Sequence, residues 1–200
     1  MMVIPKSQDN HKYPMHLILR DSLIIFLFGL LLGSLSGMGK PMHWDEGIWS
    51  YIGQMWSDYG ILPYTGTIEN KTPGIFYLFA LSHAFFYDAI WPPRLTGIIL
   101  TSVSAMIIYF MASRLYDQKT GFFSGLVFVL IMPTHAVGGD SPAQTETFMV
   151  FFTVLSFLAI LKRGHIRNLN YYGKTFCSGF LVALAVAFKQ VAVFDLAAVL

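Results

Sequence analysis

Residues 22–39 read SLIIFLFGLLLGSLSGMG, a stretch without a charged side chain. A run of about 20 apolar residues is long enough, as a helix, to cross the hydrocarbon core of a bilayer. Four more charge-free runs follow, at residues 95–113, 120–139, 147–161 and 175–188. The sequence therefore predicts an all-α protein, a polytopic bundle of transmembrane helices.

The composition supports a membrane protein and excludes several other classes. Apolar residues make up 55% of the chain and charged residues 12%, against roughly 25% charged residues in a soluble domain. The 13 Lys and Arg barely exceed the 11 Asp and Glu, so no basic surplus is available to neutralise a nucleic acid. The single cysteine, Cys177, has no partner for a disulfide or a cysteine-based metal site.

One apolar run, Pro73 to Tyr87, is too short to assign by length alone. Cytoplasmic loops are enriched in Lys and Arg. If this run does not cross, nine such residues lie inside and four outside; if it crosses, the split is five to eight. We therefore expect an interfacial or re-entrant run, a cytoplasmic N-terminus, and one long outward loop, residues 40–94, that contains interfacial helices.

The two ends of the sequence carry separate expectations. The first span has the alternative of a cleaved signal peptide, because basic residues precede it and Gly33 to Gly37 are small. A sixth span is expected to start near residues 190–200. We therefore expect the chain to be the N-terminal part of a longer protein.

The first candidate site follows the first span, at Met42-His43-Trp44-Asp45-Glu46-Gly47. Apolar residues then recur at helical spacing, which predicts a short helix in the membrane plane. Asp45 is expected at its N-terminus, where the helix dipole favours an ionised carboxylate able to act as a general base. The alternative is that Asp45 only caps the helix and Glu46 is a solvated neighbour.

Three basic residues of the outward segments are candidates for binding an anion. Lys71, in Glu69-Asn70-Lys71-Thr72-Pro73-Gly74, is placed to bind a lipid phosphate as a point charge, or else snorkels to the surface. Arg94 lies at the expected outer start of the second span, although basic residues are usually found on the cytoplasmic side. Its positive charge should therefore be compensated by an anionic ligand or by Asp88. Lys189 ends the fifth span and has the same alternatives as Lys71.

The remaining acidic and histidine residues complete the candidate set. The loop Gly138 to Glu146 contains Asp140 and places Glu146 at the start of the fourth span. An ionisable group at that depth needs an ion-pair partner, a metal or water. His43, His83 and His135 lack the i, i+4 spacing of a zinc helix. The histidines therefore indicate no metal site.

In this order the motifs resemble the GT-C superfamily of membrane glycosyltransferases. The likeness rests on five features in chain order. They are the outward Asp-Glu pair, the Gly-x-x-Pro-Tyr turn at Gly60 to Tyr64, the Lys-x-Pro segment, the Arg at the start of a span and the later acidic residue. The chain is most similar to the protein O-mannosyltransferase and aminoarabinose transferase branch, especially bacterial enzymes of the dolichyl-phosphate-mannose protein mannosyltransferase type. The resemblance runs from about Ser22 to Leu200.

The resemblance implies a polyprenyl-phosphate sugar donor and a lipid, glycan or protein acceptor on the outer face of a plasma membrane, the inner membrane in bacteria. It implies Asp45 as catalytic base, with Glu46 and Glu146 as further acidic site residues. Lys71, Arg94 and Lys189 would contact the donor phosphate. No cofactor is certain; a divalent cation stays open, although Asn70 stands where some relatives have an acidic residue, with Glu69 one position earlier.

Two other functions remain open from the sequence. A polytopic transporter or flippase for a lipid-linked or anionic substrate would use charges at span ends to line a path, but such charges usually lie near the midplane and in repeats. The other alternative is a noncatalytic membrane protein that has kept the fold and lost the activity. The presence of Asp45, Glu46 and Lys71 argues against it.

Overall fold

A computed structural model describes the protein over residues 14–86, 90–135, 141–161 and 171–199, and the regular structure in these ranges is helical. The helices are α1 Met15–Gly37, α2 Trp44–Tyr59, α3 Pro73–Phe85, α4 Trp91–Leu115, α5 Gln118–His135, α6 Thr145–Ile160, α7 Tyr171–Phe188, a 3-10 helix Gln190–Asp195 and α8 Leu196–Val199. The predicted all-α helical bundle is confirmed.

Two helices have both the length and the composition to cross a membrane. Helices α1 and α4 contain 23 and 25 residues, or about 35 and 38 Å at 1.5 Å per residue, against a hydrocarbon core of about 30 Å. Helices α3 and α6, and most of α5 and α7, are shorter and apolar. Helices α1 and α4 are therefore candidate membrane spans by length and composition, and the crossings of the other helices are predictions.

Helix α1 packs against α4 through a face of small residues. Gly29, Gly33 and Gly37 recur every four residues and are buried. A Cβ on Gly33 would lie 2.8 Å from Ile98 on α4, so only glycine permits this approach. Such small-residue faces are typical of helix contacts inside membranes. The opposite face of α1 exposes the apolar side chains of Leu19, Leu23, Leu27, Leu31 and Leu35.

Helices α2 and α3 form a separate layer over one end of the bundle. Trp49 and Ile52 of α2 pack with Phe76 and Phe79 of α3 in a cluster that also contains Phe148 of α6. The apolar face predicted for α2 therefore exists, but α3 covers it. Helix α3 has only 13 residues, about 20 Å, which is too short to cross a bilayer unaided.

The predicted site residues of the described chain lie at one end of the bundle, which we call the site end. There the end of α1 meets the start of α4, since Arg94 binds the Gly37 carbonyl. The start of α3 meets the end of α7, because Gly74 packs against Ala187. At the opposite end, α1 meets the start of α5 through Gln118 and Asp21.

Candidate functional site

The start of α2 is capped by residues other than Asp45. His43 is the N-cap, and its Nδ1 accepts from the Asp45 backbone N–H at 3.3 Å. The Glu46 carboxylate accepts from the His43 backbone N–H at 3.0 Å, which completes a capping box. Asp45 therefore does not act as the helix cap, contrary to the alternative drawn from the sequence.

Glu46 is not a solvated neighbour of Asp45 but the buried centre of the site. Its exposed fraction is 0% and that of Arg94 is 3%. Arg94 binds it with two parallel bonds, Nε to Oε1 at 2.9 Å and Nη2 to Oε2 at 2.6 Å. Ser141 also donates to Oε1. This fork geometry is the strongest form of an Arg–carboxylate pair, and it connects α2, α4 and the loop before α6.

The other donors of Arg94 hold the segment that precedes α2. Its Nη1 donates to the carbonyls of Gly37 and Lys40 at 3.2 and 2.7 Å, and Nη2 donates to that of Pro41 at 3.1 Å. All five N–H groups of a guanidinium are thereby used. Arg94 was predicted to contact the donor phosphate, yet in this arrangement it has no N–H left for one. Glu46 compensates its charge.

Asp45 differs from Glu46 in having an unengaged carboxylate. Its side chain is half-buried and forms no hydrogen bond or ion pair with any described residue. It lies in the first turn of α2, two residues after the N-cap His43. Asp45 thus has an available carboxylate on a backbone that is held by the capping bonds of His43 and Glu46.

Lys71 has its backbone held while its side chain remains unpaired within the described chain. The Tyr64 hydroxyl donates to the Lys71 carbonyl at 2.5 Å, and the Tyr64 ring packs edge-on against Phe76 of α3 at 5.8 Å. Burial and the nearby Glu69 carboxylate raise the pKa of the Tyr64 phenol, so it stays protonated and continues to donate at neutral pH. The lysine lies just before the N-terminus of α3.

Glu146 and Lys189 form an ion pair that the sequence did not predict. The side chains are 47% and 31% exposed, respectively, so a ligand can reach both, and the ammonium keeps two donors. The Gln190 amide donates to the Asn70 carbonyl at 3.5 Å. Because these residues adjoin Lys189 and Lys71, the two lysines belong to neighbouring segments at the site end.

A cavity of about 350 Å³ opens beside Glu146, between α1, α4 and α6. Ser36, Ser141, Gln144 and Glu146 contribute polar groups near the helix ends, and the Gln144 amide nitrogen is buried without a partner in the described chain. Further along the helices the lining is mainly apolar, with Gly29, Gly33, Ile98, Met132, Met149 and Val150, and the hydroxyls of Thr101 and Thr147 are the polar groups there. The cavity thus combines a polar end beside Glu146 with a mainly apolar interior.

Several other predicted residues lie elsewhere. His83 bonds Ser50 at 2.9 Å and links α3 to α2. Over the ranges that the structure describes, no group of three or more His, Cys, Asp or Glu side chains is arranged to hold a metal ion. Asp88, Asp140 and the side chain of His135 are outside the described residues.

The fold and site define a class: a helical membrane protein with a carboxylate, unpaired or reachable cations and a partly apolar cavity at one end. Residues 70–200 match the family model for dolichyl-phosphate-mannose-protein mannosyltransferase, and the chain belongs to this family. It is therefore a membrane protein of a glycosyltransferase family, as its motifs predicted. No curated protein and no solved structure matches the chain.

Proposed function

We propose that the protein transfers a sugar from a polyprenyl-phosphate donor to an acceptor hydroxyl on the non-cytoplasmic face of the membrane. The observation that carries this proposal is the unengaged Asp45 carboxylate beside the saturated Glu46–Arg94 pair. The family match supports the same class of reaction and favours it over the transporter. The cavity beside Glu146 supports a lipid-linked substrate, because its polar end leads to a mainly apolar interior.

In the proposed step, Asp45 takes the proton of the acceptor hydroxyl while that oxygen bonds to the anomeric carbon of the donor. The bond between this carbon and the phosphate oxygen breaks as the new bond forms. Direct displacement of this kind inverts the anomeric configuration. The polyprenyl phosphate leaves with the electron pair of the broken bond and therefore gains negative charge.

Lys71 and Lys189 are proposed to stabilise the charge on the departing phosphate. Lys71 is unpaired in the described chain and adjoins the N-terminus of α3, whose dipole also favours an anion. Glu146 orients the Lys189 ammonium through their ion pair. Glu46 and Arg94 act through the backbone around Asp45 rather than on the substrate, which revises the roles that the resemblance implies for them.

The test is Asp45→Asn, assayed in membranes with a panel of polyprenyl-phosphate sugars. Asparagine keeps the shape of the side chain but cannot accept the proton, so turnover should fall by about 10²- to 10⁴-fold. Thermal stability should stay unchanged, because His43 and Glu46 perform the capping. Donor binding should survive, since the lysines are intact.

Asp58→Asn is the matched control. Asp58 is an exposed carboxylate in the last turns of the same helix, and its replacement should leave turnover unchanged. Full activity in Asp45→Asn would rule out Asp45 as the base. Loss of activity together with loss of thermal stability would instead show a structural role.

A further inference from the structure

A second cavity lies at the opposite end of the bundle, away from the candidate site. It has a volume of about 520 Å³ and lies between the start of α1 and the start of α5, with Asp117 just before α5. Four charged side chains line it, two cations and two carboxylates: Arg20, Asp21, Asp117 and Lys119. The rest of the wall is mainly apolar, from Leu17, Ile24, Phe122 and Phe123.

The charges of this cavity are arranged so that a ligand can reach both signs. Asp21 is buried and binds Arg20 Nε and Nη2 at 3.0 and 2.9 Å, and its other oxygen accepts from Gln118 at 2.7 Å. Arg20 is largely exposed and keeps Nη1 for a ligand. Asp117 and Lys119 are both exposed at the start of α5. The formal charge of the four groups sums to zero.

The apolar part of the cavity continues onto the outer surface of the bundle. Phe123 is exposed next to it, and the row of exposed leucines on α1 starts at Leu19 beside it. In a membrane protein these surfaces face acyl chains, while the ends of α1 and α4 lie at the level of the headgroups. A molecule with acyl chains and a compact charged head therefore fits the site.

We propose that this cavity binds the headgroup of a phospholipid that carries both a phosphate and a primary ammonium, of the phosphatidylethanolamine class. The phosphate contacts Lys119 and the free nitrogen of Arg20. The ammonium, with three N–H donors, contacts the Asp117 carboxylate. A simple anionic lipid leaves Asp117 facing a negative charge, and a choline headgroup has no N–H to donate. This site is independent of the proposed transferase function.

The experiment is native mass spectrometry of the purified protein with equal amounts of phosphatidylethanolamine, phosphatidylcholine and phosphatidylglycerol of the same acyl chains. Phosphatidylethanolamine should bind roughly fivefold better than either competitor, as expected for one extra charged contact near the surface. Asp117→Asn should reduce this preference to about one. Lys119→Gln should instead weaken all three lipids alike, because the phosphate is common to them.

Asp117→Asn separates lipid binding from folding. Asp117 also caps α5, accepting from the Thr120 backbone N–H at 2.9 Å, and asparagine caps a helix as well as aspartate does. Asp117→Ser, a second capping variant, should behave like Asp117→Asn, and Asp58→Asn at the site end should keep the parent preference. Equal binding of the three lipids, tightest binding of phosphatidylglycerol, or an unchanged preference in Asp117→Asn would each overturn the proposal.

Discussion

At the scale of single residues, the two adjacent carboxylates of α2 have opposite environments. Glu46 is buried and accepts from Arg94, Ser141 and the His43 backbone, whereas Asp45 is half-buried and unengaged in the described chain. A saturated carboxylate cannot easily take a proton from a substrate. The geometry therefore divides the Asp-Glu motif into a proposed base and the residue that positions it.

The pairing of Glu46 with Arg94 predicts a large effect on stability. Arg94→Met should lower the free energy of unfolding by about 3–5 kcal/mol, because it leaves Glu46 as an uncompensated buried charge. The double variant Glu46→Gln/Arg94→Met removes both charges and should recover part of this loss. Thermal denaturation in detergent measures both. If Arg94 instead binds the donor phosphate, Arg94→Met should be as stable as the parent and show only a raised donor KM.

Lys71 predicts an effect on the donor rather than on the fold. Lys71→Gln should raise the apparent donor KM or lower kcat, because an unpaired cation near the proposed phosphate position is removed. Thermal stability should not change, since the ammonium binds no described residue. Steady-state kinetics with varied donor concentration provides the measurement. Lys40→Gln, in the segment between α1 and α2, serves as the control, and unchanged kinetics in Lys71→Gln would favour a snorkelling surface lysine.

The sequence identified the ionisable residues of the site end but not their partners. Glu46 and Arg94 are 48 positions apart, and Glu146 and Lys189 are 43 apart. No local spacing rule connects such residues, because the packing of whole helices brings them together. The sequence predicted that the charge of Arg94 needs a compensating group, and in the structure Glu46 of a neighbouring helix supplies a carboxylate to it.

At the scale of the helices, α2 and α3 approach each other at one glycine. A Cβ on Gly53 would lie 2.8 Å from the backbone of Phe79 and Ala80, so the helices would have to move apart. Gly53→Ala should therefore destabilise the protein by about 1–3 kcal/mol. Thermal denaturation measures this, and turnover should fall with it because α2 carries Asp45.

Gly47→Ala is the matched control in the same helix. Its Cβ would meet only the end of the flexible Met42 side chain, at 3.6 Å. Alanine is also the better helix former, by up to about 1 kcal/mol, so this variant should be as stable as the parent or slightly more so. Equal loss of stability in both variants would show that the α2–α3 contact is not responsible.

Helix positions were largely predictable, and helix ends were not. Each charge-free run lies mainly within a helix, because about 20 apolar residues must satisfy their backbone groups internally. Helix α1 nevertheless starts at Met15 rather than Ser22, and α4 extends past Arg114. Charged residues are tolerated in these end turns when they are paired, as Arg20 is with Asp21. A search for charge-free runs therefore shortens helices at their ends.

At the scale of the whole molecule, the arrangement of the described helices separates two polar ends. The site end carries Asp45, Lys71 and the Glu146–Lys189 pair, while the opposite end carries Arg20, Asp21 and the loop before α5. Helices α1 and α4 connect these ends and have the length of a bilayer. The proposed chemistry and the proposed lipid site therefore require opposite faces of the membrane.

Cysteine labelling at Asp58 and Lys119 tests this arrangement, because α3 and α4 are the helices between these two exposed positions. If α4 alone crosses, the positions lie on opposite sides. In a Cys177→Ser background, Asp58→Cys should react with an impermeant thiol reagent in intact cells. Lys119→Cys should react only after permeabilisation.

Labelling of both positions from the same side would mean that α3 crosses as well. That result would reverse the sides of all later loops and leave five Lys and Arg inside against eight outside, contrary to the usual excess of basic residues in the cytoplasm. It would also require a helix of about 20 Å to cross a core of about 30 Å. Because the charge distribution and the helix length both oppose that arrangement, we expect Asp58 and Lys119 on opposite sides.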